Sequence, residues 1–343
     1  MISIAASLET SNYSCVNIFD LDEELNIINY RKILENKKVF GLSSDKNRLF
    51  AVSGAGSEAG YLHTVNLQDL ESQNSFKLKA PIDRRLYNSI FDGIKYLIKY
   101  YILKKNIWGD IHDLKYYNNH YFLINSSSDT LSIVNKENTR SHSINLFKRC
   151  IESSMQGAIY GRHSLKGNYY HFNSLLIKND IFYVMCHNTN SPIGSFMIIF
   201  KIKNNKLKNF KIIKNLKTDV SKFSGKQCHD LVSDNDNIFY LESINKSISY
   251  IDNHSLPKIF LKSNHFGYLR GLAINKDFIF VGSSPFRRST EWVKDKTINL
   301  DEKIYNESYI FIINKQTKKV IKKINLKEYN KVKNLEIKNI IGL

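Results

Sequence analysis

Three histidines and one arginine head similar segments of the chain: His112-Asp113-Leu114, His171-Phe172-Asn173-Ser174-Leu175, His229-Asp230-Leu231 and Arg270-Gly271-Leu272. Imidazoles converging on one polar cavity would suit a divalent transition metal, which keeps a position open and lowers the pKa of bound water. A guanidinium in the same ring would suit a carboxylate or phosphate. His112, His171 and His229 are therefore candidate catalytic and metal-ligating residues, with a divalent transition metal of open identity as the implied cofactor. Arg270, Arg287, Asn173 and His163 are candidate substrate-binding residues. Arg287 follows Gly282-Ser283-Ser284-Pro285-Phe286 in the Arg270 segment, and His163 lies beside Arg162.

The elements that must position these side chains repeat. Each head precedes a polar stretch and then a β-rich run: Tyr121 to Ile124, Ile181 to Val184, Ile238 to Leu241 and Phe278 to Val281. The heads recur roughly every 40 to 60 residues, the period of a propeller blade with insertions. A weaker copy, Phe40-Gly41-Leu42, precedes Arg48-Leu49-Phe50-Ala51-Val52, so the scaffold accepts another residue at the head. The terminal run 334–341 has strand character and is expected to complete the first blade, which would remove exposed sheet edges. These features predict an all-β chain: a single β-propeller domain over 1–343 with six four-stranded blades. The expected blades are 1–30 completed by 334–341, then 39–80, 110–148, 170–216, 228–262 and 268–326. Two segments break the period. Residues 84–106 carry apolar residues at helical intervals and predict an inserted helix, and 149–169 reads as a long loop.

In such a fold, equivalent positions of successive blades face one channel, so the heads are expected to converge. Asp113 and Asp230 occupy the next strand position, which points to the opposite face. They are expected to make blade-stabilising hydrogen bonds instead. His187 with Asn188, and Glu242 with Ser243, end second strands and are weaker candidates. Cys228 has no sequence partner for a thiolate–imidazole pair and reads as a buried small residue.

Composition narrows the class. The chain has 343 residues, a formal net charge of +18 and four cysteines without a paired spacing, which excludes a disulfide framework or zinc ribbon. The start lacks a basic n-region, and no transmembrane span is expected, so the expected location is cytoplasmic. Many lysines alternate with apolar residues, as in Lys201-Ile202-Lys203 and Lys318-Lys319-Val320-Ile321-Lys322-Lys323. That pattern reads as solvated strand faces and disfavours nucleic acid as partner. Phosphate-loop, dinucleotide, His-Glu-x-x-His and Gly-x-Ser-x-Gly signatures are absent.

At these residues the chain resembles a bacterial family of conserved hypothetical proteins catalogued as domain of unknown function 4915. His112-Asp113, His171-Phe172-Asn173-Ser174, Cys228-His229-Asp230 and Arg270-Gly271-Leu272 stand in the order of that family's motifs, followed by Gly282 to Arg287. The resemblance covers about residues 110 to 290. Ser174 departs from a glycine, and Cys228 and Asp230 from the proline and serine that flank the third histidine. The resemblance implies the fold and the site but no reaction.

Two functions follow. One is an enzyme with a His-rich channel that binds a metal, a small anionic substrate or both, by lyase, hydrolase or oxidative chemistry. The other is a non-catalytic propeller that binds a glycan, peptide or protein partner on its top face. Residues 84–106 are a candidate peripheral or protein contact.

Overall fold

A computed structural model describes residues 1–10, 12–54, 60–70, 73–78, 111–126, 129–138, 141–146, 171–187, 194–203, 206–213, 215–220, 224–252, 256–285, 307–332 and 335–343. The expected helix at 84–106 and loop at 149–169 lie outside them, as do His163 and Arg287. Among the described residues no helix is long and apolar enough to cross a membrane.

The fold is a six-bladed β-propeller of four-stranded antiparallel sheets. The first sheet runs in the order β24 (Glu336–Gly342), β1 (Ile2–Glu9), β2 (Ser14–Leu21) and β3 (Ile27–Ile33), so the carboxyl-terminal strand completes it as expected. The second holds β4 (Val39–Ser44), β5 (Arg48–Ser53), β6 (Tyr61–Asn66) and β7 (Gln73–Lys77). The third holds β8 (Ile111–Tyr117), β9 (His120–Asn125), β10 (Thr130–Asn135) and β11 (Ser141–Asn145). The fourth holds β12 (Phe172–Lys178), β13 (Ile181–Cys186), β14 (Phe196–Lys203) and β15 (Lys206–Ile213). The fifth holds β16 (Cys228–Asp234), β17 (Asn237–Glu242), β18 (Ser247–Ile251) and β19 (Pro257–Lys262). The sixth holds β20 (Tyr268–Ile274), β21 (Phe278–Ser284), β22 (Tyr309–Asn314) and β23 (Lys319–Asn325), before a short helix α1 (Leu326–Asn330).

Local chemistry sets these hairpins. Asn118-Asn119 and Asn179-Asp180 have φ of 47° and 60°, and 50° and 59°. Paired positive φ is what a tight two-residue hairpin turn requires, and Asn and Asp tolerate it best.

The described chain divides into two compact units. Unit one is Met1–Lys37 with Asn215–Leu343, which carries the first, fifth and sixth sheets; unit two is Lys38–Lys214, which carries the second, third and fourth. In each, the core lies between faces of successive sheets. Tyr121 and Leu123 of β9 pack with Phe50, Val52 and Leu114, whereas Phe122 and Ile124 pack with Phe172, Phe182 and Val184. In unit one, Ile279 and Val281 of β21 pack with Leu241 and Leu269, and Phe280 with Ile4 and Phe19. Burial on both faces explains why the second strands read as continuous apolar runs rather than alternating ones. Each large side chain sequestered this way stabilises the sheet stack by about 1.5–3 kcal/mol.

The lysines occupy the other extreme. Lys319 and Lys323 are exposed on β23, and Lys208 and Lys211 on β15, the last strands of their sheets. Lysine on an edge strand keeps its unpaired backbone groups from recruiting another chain.

Candidate functional site

Each leading strand carries a pairing irregularity at its head. The shifts fall between Val39 and Gly41, Ile111 and Asp113, Phe172 and Ser174, His229 and Leu231, and Leu269 and Leu272. On β24 the pairing jumps from Asn339 to Ile337, which leaves Lys338 as the extra residue. Bulges of this kind re-aim side chains at a strand's end. Counting back two residues from Leu42, Leu114, Leu175, Leu231, Leu272 and Ile340 gives Phe40, His112, Asn173, His229, Arg270 and Lys338.

That register corrects one expectation and adds a residue. His171 does not share the position of His112 and His229; Asn173 does. His171 stands two residues earlier, where its carbonyl accepts the His187 N–H at 3.1 Å and its φ is 52°. Gln227 repeats this, with φ 50° and its carbonyl accepting from Ser243 N–H, and Tyr268 holds the matching place opposite Ser284. The motif conceals the offset because four residues, not two, separate His171 from its leucine. Lys338 escaped notice because its strand lies far from the repeats, although Lys338-Asn339-Ile340 keeps their spacing.

In unit two, the leading strands β4, β8 and β12 lie side by side. They form a row of rings: Phe40 to His112 at 5.8 Å, His112 to His171 at 4.5 Å and His171 to His187 at 5.0 Å between centroids. His112 and His171 are half-buried and His187 is buried. The Ser195 hydroxyl donates to the His187 carbonyl at 2.9 Å. A Cβ at Gly54 would collide with the Phe40 ring and the Ile111 carbonyl, so glycine there admits the ring that starts the row.

In unit one, β16, β20 and β24 are neighbours. Tyr268 joins their side chains: the His229 ring lies 5.6 Å from it, and the Arg270 guanidinium sits over it at 5.5 Å. Tyr268 also donates its hydroxyl proton to Gln227 Oε1 at 2.9 Å. His229 Nδ1 lies 3.0 Å from the Gln227 carbonyl and 2.7 Å from Ser243 Oγ, whose own proton goes to the Leu269 carbonyl. Both neighbours of Nδ1 act there as acceptors, so Nδ1 carries a proton, and when the ring is neutral its lone pair is on Nε2.

Charge in this unit is arranged unevenly. Lys338 Nζ meets Glu336 Oε2 at 2.8 Å and Glu9 Oε2 at 3.2 Å. Burial pushes its ammonium pKa down, the charge of Arg270 adds to that, and the two carboxylates oppose it. Arg270 makes no ion pair among the described residues, and its buried Nε has no hydrogen-bond partner among them. The Arg270 guanidinium therefore lies near the Glu9–Lys338–Glu336 group without an ion pair to it.

Asp113 and Asp230 do what their strand position predicts. Asp113 accepts N–H bonds from Leu114 at 2.8 Å and from Leu175 of the next sheet at 2.7 Å; Asp230 accepts from Gly271 of the next sheet at 2.9 Å. Burial pushes the Asp113 carboxyl pKa up, against the pull of Lys115 and of both N–H groups. Glu242 is fully buried and accepts from Thr218, Ser224, Ser249, Asn245 and Gly225 N–H, a network that ties the 218–225 segment to β17. It is structural. Cys228 is buried and forms no disulfide among the described residues.

Among the described residues no three His, Cys, Asp or Glu side chains form a group that could hold a metal ion. The chain matches no protein-family model and no curated protein. It does match solved folds. A chain of a nidogen–laminin complex superposes with TM-score 0.60, covering 99% of this chain and 97% of that one at 8% identity. A luciferin-regenerating enzyme matches with TM-score 0.48, 84% and 76% coverage and 9% identity, and a streptogramin B lyase with 0.46, 93% and 73%, and 7%. At these identities the likeness is one of fold.

Proposed function

We propose that this propeller binds a small carboxylate- or phosphate-bearing molecule in unit one, with Arg270 as its anchor and His229 as the adjacent proton acceptor. The observation that carries the reading is the Arg270 guanidinium. It is laid on Tyr268, and no carboxylate engages it among the described residues. A planar fork of donors is matched by a carboxylate or phosphate in two-point contact. Within this reading, Lys338 is a supporting charge rather than a ligand contact, since two carboxylates already hold it. Gln227 and Ser243 hold the His229 Nδ1–H and so leave Nε2 as the basic position of the neutral ring, the nitrogen that would accept a proton from a bound acid.

The test is calorimetric titration with a panel of mono- and dicarboxylates and phosphate monoesters. Saturable binding that weakens by about 100-fold in Arg270→Gln supports the reading, the size expected when one partner of a charge-paired contact is removed. Binding of every panel member unchanged by that substitution, or no binding at all, overturns it. With a ligand in hand, His229→Asn separates the two roles: retained affinity with lost turnover marks catalysis, and retained affinity without turnover in the unaltered chain marks a binding protein.

A further inference from the structure

We propose that a groove between the third and fourth sheets of unit two docks a short acidic peptide segment of a partner protein, whose carboxylates meet lysines while one aliphatic side chain meets the groove floor. The groove lies at the turn end of the strands, opposite the heads, and has a volume of about 720 Å³. A space of that size takes a few side chains rather than a folded domain.

The core builds the floor. Phe122 of β9 and Phe182 of β13 have ring centroids 5.1 Å apart, and Phe182 stacks on Phe200 of β14 at 5.5 Å. Half-buried Ile202 on β14 adds aliphatic surface beside them. The Tyr117 hydroxyl donates to Asp180 at 2.8 Å and so links the β8–β9 turn to the β12–β13 turn. Asp180 is the only carboxylate lining the groove among the described residues, and that bond engages it.

Charge selects the occupant. Lys201, Lys203 and Lys208 line the groove, are exposed, and make no ion pair among the described residues. Lys201 stands directly opposite Lys208 in the β14–β15 register, although like charges facing each other across two strands repel. That juxtaposition costs the sheet stability, and a carboxylate bound by both ammonium groups offsets the cost. Nucleic acid fits less well, because base stacking needs an open aromatic face and the floor rings of Phe122 and Phe182 are only 7% and 4% exposed. An aliphatic side chain between carboxylates uses both the floor and the rim. The groove lies wholly in unit two and does not depend on the anion site at Arg270.

The experiment is fluorescence polarisation on the full chain with a labelled Glu-Glu-Leu-Glu-Glu peptide, alongside Glu-Glu-Ser-Glu-Glu and a labelled oligothymidylate. Saturable binding of the leucine peptide is expected, weakening with added salt and about tenfold weaker for the serine peptide. Lys208→Glu should weaken it by about tenfold or more and at the same time raise the unfolding midpoint by about 1 °C, because the repelling pair with Lys201 becomes attractive. A gain in stability with a loss of binding separates the groove from a misfolded variant. Lys319→Glu, on an exposed position of unit one, makes the same charge change in a chain of net charge +18 and should alter binding by less than about 2-fold. Absence of saturable peptide binding, equal losses in Lys208→Glu and Lys319→Glu, or tighter binding of oligothymidylate that Lys208→Glu removes would each overturn the proposal.

Discussion

Unit one and unit two build their leading strands alike and fill them differently. At the position two residues before the recurring aliphatic residue, unit one presents Lys338, His229 and Arg270, whereas unit two presents Phe40, His112 and Asn173. One residue later the logic changes. Gly41 and Gly271 stand where the next strand comes too near for a Cβ, and Asp113 and Asp230 stand where a carboxylate takes a neighbouring N–H. The first position thus varies in chemistry from strand to strand, and the second joins adjacent sheets.

The comparison breaks first at the second position. Gly271 has φ +81°, and a Cβ there would lie 2.6 Å from the Ile340 side chain and 3.0 Å from its nitrogen. Gly271→Ala is expected to cost about 3 kcal/mol or more in denaturant unfolding, from the left-handed penalty plus overpacking. A loss under about 1 kcal/mol would show that the strands separate freely. Asp113→Ala should cost about 3 kcal/mol, because two buried N–H groups lose their acceptor. Gly41→Ala, which meets Leu114 N at 2.6 Å without a positive φ, should cost about 2 kcal/mol. Asp230→Ala should cost about 1 kcal/mol, since the Gly271 N–H is released at a half-exposed site. Equal losses at Asp113 and Asp230 would erase the difference between the units at this position.

The smallest effect concerns pH. Burial pushes the Lys246 ammonium in unit one down to about 8. The folded chain then binds that proton less tightly than the unfolded chain, so stability falls as pH drops from about 10.4 through about 8. Lys246→Met removes this slope. The variant should melt slightly above the parent at pH 7, and the difference should vanish above about pH 10.4, as read by thermal unfolding across pH. A pH-independent difference would assign the effect to packing instead.

The sheets were legible because the repeats carry their own punctuation: an aliphatic residue at the head, a paired-Asn or Asn-Asp turn, then an apolar run. The closing strand was legible from its strand character and the sheet edges it would remove, and β24 pairs with β1 accordingly. The roles of Asp113 and Asp230 followed from strand alternation alone. Register was not legible. A bulge adds a residue without changing the motif's appearance, so His171 looked equivalent to His112 while the pairing puts Asn173 there. Side-chain partners across sheets were beyond a linear reading as well. Tyr268 is a strand aromatic until its ring is placed between His229 and Arg270, and Lys338 is one surface lysine among many until Glu9 and Glu336 enclose it.

The proposed oxyanion recognition by Arg270 in unit one would make the chemical difference between the units functional. Calorimetric titration of the parent chain, Arg270→Gln and His112→Gln with the tightest carboxylate or phosphate ester of the panel tests it most directly. Saturable binding by the parent is expected, with a loss of about 100-fold in Arg270→Gln and near-parental affinity in His112→Gln. Affinity that survives in Arg270→Gln and collapses in His112→Gln would contradict it.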